Sequence, residues 1–265
     1  MRIHLSQTDS TNRVAREEAI AGAASGTVVW ADCQVDGKGQ YGRSFTSPQG
    51  GLYFSLILRP ALSPECLPLI TLATGLACRD ALEGNYNVDV QLKWPNDLFL
   101  RGKKLGGILC ETIFESHFSP AQATVIIGVG INCTVTKADF PEELRPLVTT
   151  LAEEYCGPVD LPALLEVLVA EIHASVLLLP LERSSLLDRW QKHDYLIGQS
   201  LRYRNDSESF TGIGKGICDD GRYRIVDAQG CEHAIIGGQL RPLSWPEDER
   251  ITPRLRSTKV GKGEG

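Results

Sequence analysis

The 265-residue sequence has no apolar run near the roughly 18 residues needed to cross a bilayer, so no membrane partner is expected. The longest apolar stretch, around Val176–Leu181, is far shorter. The start, Met-Arg-Ile-His-Leu-Ser-Gln, lacks the apolar segment of a secretory signal, and a cytoplasmic location is the expectation. There is no excess of positive charge: 27 Lys and Arg face 33 Asp and Glu, a formal net charge of −6. The surface as a whole is therefore not built to hold a nucleic acid, although a local basic patch is allowed. Eight cysteines, at 33, 66, 78, 110, 133, 156, 218 and 231, form no C-x-x-C and have no histidine at zinc-site spacing. They read as buried or reduced thiols rather than a disulfide frame or a metal site. Asn132-Cys133-Thr134 fits a glycosylation sequon, which has no use without secretion. No internal repeat is present.

What is present is globular in kind: 42% hydrophobic and 23% charged residues. The length suits one large domain with a small one appended. A helix capped by Ser10 or Asp9 is expected to about Ala21, then strands at Thr27–Cys33 and Leu52–Leu58. Pro64–Glu83 reads as a helix stopped by Gly84. Strands follow at Val88–Trp94, Leu98–Leu100, Gly107–Phe114 and Thr124–Ile131, with a tight turn at Arg101-Gly102-Lys103. Helices are expected at Leu161–Leu179 and Leu186–His193. This order predicts an α+β fold, a mixed and largely antiparallel sheet with helices packed on it. After Gly198 come short strands and turns, which read as a small β-barrel too small to stand alone. The predicted boundaries are 1–197, 198–245 and a polar, disordered tail over 246–265.

Gly37-Lys38-Gly39-Gln40-Tyr41-Gly42 matches the G-x-G-x-x-G spacing of dinucleotide sites. Such sites need a helix opening at the loop, and Ser44–Gly51, with Pro48 and Gly50-Gly51, cannot start one well. The remaining readings are a plain turn, or a loop covering an anionic ligand, its glycines admitting backbone N–H groups and Lys38 and Arg43 adding charge. Further on, Lys93 and Lys104 flank a turn on antiparallel strands and could converge, with Asn96 and Asp97 at the rim. Gly106-Gly107 leaves room for a ligand or another backbone. Alone, this is also compatible with a solvated hairpin.

The segment Lys93-Trp94-Pro95-Asn96-Asp97 … Lys104-Leu105-Gly106-Gly107-Ile108-Leu109-Cys110-Glu111 resembles the K-W-P-N-D … K-L-x-G-I-L-x-E signature of biotin protein ligases. Ser10-Thr11-Asn12, Gln34 with the glycine loop and Gly42-Arg43-Ser44-Phe45 followed by Ser47-Pro48, and Gly128-Val129-Gly130-Ile131-Asn132 fit the same family in order. The likeness covers about residues 6 to 133. It implies a fold like that of class II aminoacyl-tRNA synthetases and biotin synthetases, with an SH3-like C-terminal barrel. It also implies two reactions. Biotin's carboxylate attacks the α-phosphate of ATP, giving biotinyl-5'-AMP. A lysine of a biotin carboxyl carrier protein then takes the biotinyl group and AMP leaves. Mg²⁺ is expected with ATP, with no metal ligands assigned on the chain.

By the same resemblance Ser10, Thr11, Asn12 and Gln34 would hold the ureido ring, and Lys38, Gly39, Gln40, Trp94 and Gly107 would complete the biotin site. For Trp94, plain core packing is the competing reading. Lys104 would bridge carboxylate and α-phosphate, with Lys93 and Arg43 facing the triphosphate. Asp97 could orient Lys104, help hold Mg²⁺ or accept the amine's proton. Gly37, Gly42, Phe45, Asn96 and Asn132 would serve ATP and the adenylate. The loop departs from the family's usual G-[RK]-G-R-x-G-R at Gln40, and Phe45 stands where many members have Trp. Weaker retention of the adenylate is therefore expected. A homodimer through a sheet edge is a further implication. Repressor members carry a DNA-binding domain before the S-T-N motif, which here starts at residue 10, so operator binding is not expected. The alternatives are a lipoate or octanoate ligase-type relative, whose R-R-x-S-G-G-G signature is absent, and a non-catalytic biotin or biotinyl-adenylate binder.

Overall fold

The computed structural model describes residues 1–115 and 122–245. Seven strands build its larger sheet: β1 (Arg2–Leu5), β2 (Val28–Ala31), β3 (Leu52–Leu58), β4 (Val90–Lys93), β5 (Asp97–Leu100), β6 (Lys103–Glu115) and β7 (Gln122–Ile131). Their order is β1-β2-β3-β7-β6-β5-β4. Every pairing is antiparallel except β1 with β2, so the sheet is mixed as the sequence predicts. The turn between β5 and β6 places Arg101 (φ 48°) and Gly102 (φ 74°) in the left-handed region, the geometry that a two-residue hairpin turn demands.

Helix α1 (Thr11–Ile20) lies on one face, Ala15 and Ala19 packing on Val29, Ile57 and Ile126. The other face carries α2 (Leu69–Tyr86) and, after the single turn α3 (Leu151–Glu154), the long α4 (Leu161–Lys192). Two sequence expectations change here. Gly84 lies inside α2, which ends instead at Asn87 (φ 52°), a residue that tolerates the left-handed conformation. The two helices expected between 161 and 193 are one element with a break at Glu182, two residues beyond Pro180. By length and hydropathy α4 could cross a membrane, but Leu164, Leu168, Ile172 and Val176 are buried in the core it shares with α2.

The second sheet holds β8 (Ser200–Arg204), β9 (Ser209–Ile217), β10 (Tyr223–Asp227), β11 (Glu232–Ile235) and β12 (Gln239–Pro242), all antiparallel, in the order β11-β10-β9-β8-β12. The closed barrel expected from the sequence is not seen among the described residues: β11 and β12 are edges. Only residues 236–238 join them. A flat five-stranded sheet would set its edges about 19 Å apart. Three residues span roughly 14 Å at most, so the sheet curls strongly. It shares the main core. Trp94 donates Nε1–H to the Gly221 carbonyl (3.0 Å), its ring lies 5.7 Å from that of Tyr223, and the Tyr223 hydroxyl donates to Asp194 (2.7 Å). All eight cysteines are free, and the predicted tail over 246–265 lies outside the described residues.

Candidate active site

A cavity of about 240 Å³ opens between the first turn of α1, the glycine loop, the β4–β6 hairpins and β12. One end is neutral and polar. Thr11 donates its backbone N–H (2.8 Å) and its hydroxyl (3.2 Å) to Gln34 Oε1, and Gln34 Nε2 donates to Ser47 Oγ (2.8 Å). Asn12 Nδ2 donates to Glu111 Oε2 (2.8 Å) and the Leu109 carbonyl (3.2 Å). Ser55 Oγ, fully buried in β3, lies 2.6 Å from Asn12 Oδ1 and 2.9 Å from Thr11 Oγ1, and its one proton serves one of them at a time. The floor is bare backbone. A Cβ on Gly128 would stand 2.1 Å from Asn12 Oδ1, and one on Gly130 would stand 2.5 Å from the Phe45 ring. Neither ring nor amide could seat over any other residue.

The other end is cationic. Register sets Lys93 of β4 opposite Asp97 of β5, and the following turn returns Lys104 of β6 to the same carboxylate. Asp97 Oδ1 accepts from Lys104 Nζ at 2.5 Å and Oδ2 from Lys93 Nζ at 3.2 Å. Burial works to raise the Asp97 pKa, but Lys104 and Lys93 outweigh it and hold it down at about 2. Burial lowers the Lys93 pKa, with the Asp97 charge opposing that fall. The Lys104 side chain is a third exposed, so its remaining N–H donors can face the cavity. Its ammonium lies 5.7 Å from the Phe45 ring centre, while Lys93 lies 5.7 Å from Phe99 and 5.9 Å from Trp245, two rings stacked at 5.5 Å. Five cations (Lys38, Arg43, Lys93, Lys104 and Arg241) and one carboxylate line the cavity of a protein that is acidic overall. Such a site gathers anions.

The chain as a whole has relatives among known proteins. The biotin/lipoate A/B protein ligase family matches residues 5–132. The bifunctional ligase/repressor BirA of Bacillus spizizenii is 32% identical over 225 residues, 83% of this chain and 68% of that protein. The biotin–[acetyl-CoA-carboxylase] ligase of Mycobacterium tuberculosis is 31% identical over 243 residues, 89% of this chain and 86% of that protein. The chain belongs to the biotin protein ligase family. Among solved structures, the Aquifex aeolicus biotin protein ligase in complex with biotin and ATP aligns with a TM-score of 0.78 at 27% identity, covering 91% of this chain and 98% of that one.

The structure brings most of the biotin ligase motifs to one cavity. Ser10, Thr11, Asn12, Gln34, Lys38, Gly39, Gln40, Arg43, Phe45, Lys93, Trp94, Asn96, Asp97, Lys104 and Gly107 all line it. Gly37, Gly42 and Asn132 do not. Gly37 packs under the loop, where a Cβ would stand 2.4 Å from the Phe45 carbonyl. Gly42 (φ 70°) supplies a left-handed turn. Asn132 is buried and donates to the Thr149 carbonyl (3.1 Å), while its Oδ1 is a buried acceptor with no hydrogen-bond partner among the described residues. Trp94, 2% exposed, chiefly joins the two sheets, and Asn96 buttresses β6 through the Ile108 backbone (2.8 and 2.9 Å). Sequence reading gave Ser47 no role beyond its place in the motif, and missed Ser55 and the wall formed by Gln239, Leu240 and Arg241 of β12 with Trp245 just after it. A serine among the aromatic and aliphatic residues of strand Leu52–Leu58 was a usable signal for Ser55, since buried polar groups need partners. Nothing in the sequence signals the distant β12 wall.

For Mg²⁺ the donor set does not fit a protein-held ion. Among the described residues no three His, Cys, Asp or Glu side chains gather as ligands. Asp97, the sole carboxylate among the described residues that line the cavity, already accepts from two lysines.

Proposed function

We propose that this protein is an ATP-dependent biotin ligase that activates biotin as biotinyl-5'-AMP and passes it to a lysine of a biotin carboxyl carrier protein. The observation that carries the reading is one cavity with two chemistries: a hydrogen-bonding rim for a neutral, polar ring and a lysine pair braced on Asp97 for two anions.

In the first reaction a biotin carboxylate oxygen bonds to the α-phosphorus and the bond to the β-phosphate breaks. Carboxylate and triphosphate repel, so catalysis is positioning and charge. Lys104, with N–H groups to spare beyond the one given to Asp97, bridges the two anions. Lys93 and Arg43 face the phosphates. Any Mg²⁺ accompanying ATP would add charge to offset this repulsion, without a ligand set among the described residues to hold it. Asp97, both oxygens occupied and its pKa near 2, orients the lysines and is a poor proton acceptor at neutral pH. In the second reaction the carrier's lysine nitrogen bonds to the biotinyl carbonyl and AMP leaves.

The same reading takes 1–197 as the catalytic unit and the curled second sheet, 198–245, as an SH3-like domain. It includes a cytoplasmic setting, which suits eight unpaired thiols, and no nucleic-acid partner. A homodimer would form through β1, the sheet edge without the β4 edge's bridge to Asp194.

The test is mass spectrometry of a biotin carboxyl carrier domain after incubation with the protein, biotin, ATP and Mg²⁺. One modified lysine is expected, lost when biotin or ATP is withheld. An unmodified carrier beside a protein that binds biotin would instead support the non-catalytic binder.

A further inference from the structure

The glycine loop reaches across the cavity mouth. Tyr41 sits at its tip with a left-handed backbone (φ 58°, ψ 33°), a conformation that a bulky residue keeps only when its surroundings impose it. Core packing does not impose it, since Tyr41 is 64% exposed. What holds it is the second sheet. The Gly238 N–H, between β11 and β12, donates to the Tyr41 hydroxyl at 2.7 Å. That seat is cut for a hydroxyl: a Cβ on Gly237 would stand 2.4 Å from the Tyr41 oxygen, and Gly238 has φ +104°. On the loop side, the Arg43 guanidinium lies 5.8 Å from the Tyr41 ring centre.

We propose that Tyr41 is a positioning residue that clasps the glycine loop onto the second sheet, and that this clasp retains the activated biotin intermediate. The inference rests on the ligase reading above. In the loop pattern that the resemblance gives, a basic residue stands where this chain has Gln40, and any charge-assisted contact it would make to the ligand is absent here. Here the loop is fastened from outside, to protein rather than to ligand. The second sheet thereby takes part in holding the intermediate although it lies more than 190 residues away in sequence.

The test uses the full chain with Tyr41→Phe, which keeps the ring and removes the hydroxyl. Intermediate made from labelled biotin and ATP is chased with unlabelled biotin, and amide exchange is followed over residues 37–43 of the ligand-free protein. Release should quicken about tenfold, as the loss of one hydrogen bond allows, and loop exchange should quicken with it. Gly237→Ala, whose methyl group takes the hydroxyl's place, should act alike, and the double variant should be no worse than either single one. Release within about twofold of the parent, or additive effects, would overturn the proposal. If the parent forms no intermediate, the ligase reading falls, and unchanged loop exchange in Tyr41→Phe would remove the clasp as well.

Discussion

At the neutral end of the cavity, short side chains on the first turn of α1 and after β2 are bonded to one another before any ligand arrives. Thr11, Asn12 and Gln34 are each held by at least one of Ser47, Ser55 and Glu111 or by one another. At the cationic end, long side chains from two strands, Lys93 of β4 and Lys104 of β6, gather on Asp97 of β5, and β12 supplies Arg241 from another sheet. The difference follows from what each end must recognise. A neutral polar ring is told from water only by fixed donors and acceptors, so those groups must be locked. A polyanion is held by charge at several distances, which flexible lysines and arginines supply.

Four measurements can break or sharpen this contrast. Lys104→Ala should strike hardest: biotin-dependent pyrophosphate release should fall about 10²- to 10³-fold, as for removal of one stabilising donor from a transition state. Near-parental release would put the chemistry on another residue. Gln40→Arg adds a charge-assisted contact, worth on the order of 1.5–3 kcal/mol if fully formed, so dissociation of the intermediate should slow at least roughly tenfold. An unchanged off-rate would show that the loop does not need the charge. Ser55→Ala lies at the neutral end and should weaken biotin binding about tenfold by calorimetry, with little change in ATP affinity. Equal losses for both ligands would mean that the two ends are not separable. The smallest effect lies behind both ends, at the junction of the sheets. Burial raises the Asp194 carboxyl to about 6, against hydrogen bonds from Leu196 and Tyr223 that favour its anion. The folded chain thus binds a proton more tightly than the unfolded chain, and stability falls as pH rises from the ordinary carboxylate range through 6. Between pH 5 and 7 the loss is about 1 kcal/mol, and Asp194→Asn should flatten it in denaturant titrations.

The long buried strands and α1 were legible because their periodicity is local, although Ser10, at the N-cap position of α1, makes no side-chain capping bond. Leu52–Leu58 in particular forms over its predicted range. β1 was not legible: Arg-Ile-His-Leu is too short to show a pattern, and it is a strand because β2 lies beside it. Pro64 and Gly84 were read as the ends of one helix. Pro64 instead opens a separate 3₁₀ turn, and Asn87 supplies the stop. In the site, residues within motifs were found, while Ser55 and the β12 wall depend on pairing partners far along the chain. Asn132 shows the limit most plainly, since a motif position alone does not say whether a side chain faces the cavity or the core.

The bare strip at Gly107, Gly128 and Gly130 bears on how this site can be altered. At Gly128 and Gly130 the Asn12 amide and the Phe45 ring rest on main chain, so a mutation there can only add atoms beneath them and push them into the pocket. Substitution can therefore shrink the pocket readily at the floor and enlarge it only at the walls, at residues such as Phe45 or Leu147. Attempts to admit bulkier biotin analogues should begin with those walls, and any drift at the three glycines should narrow what the enzyme accepts.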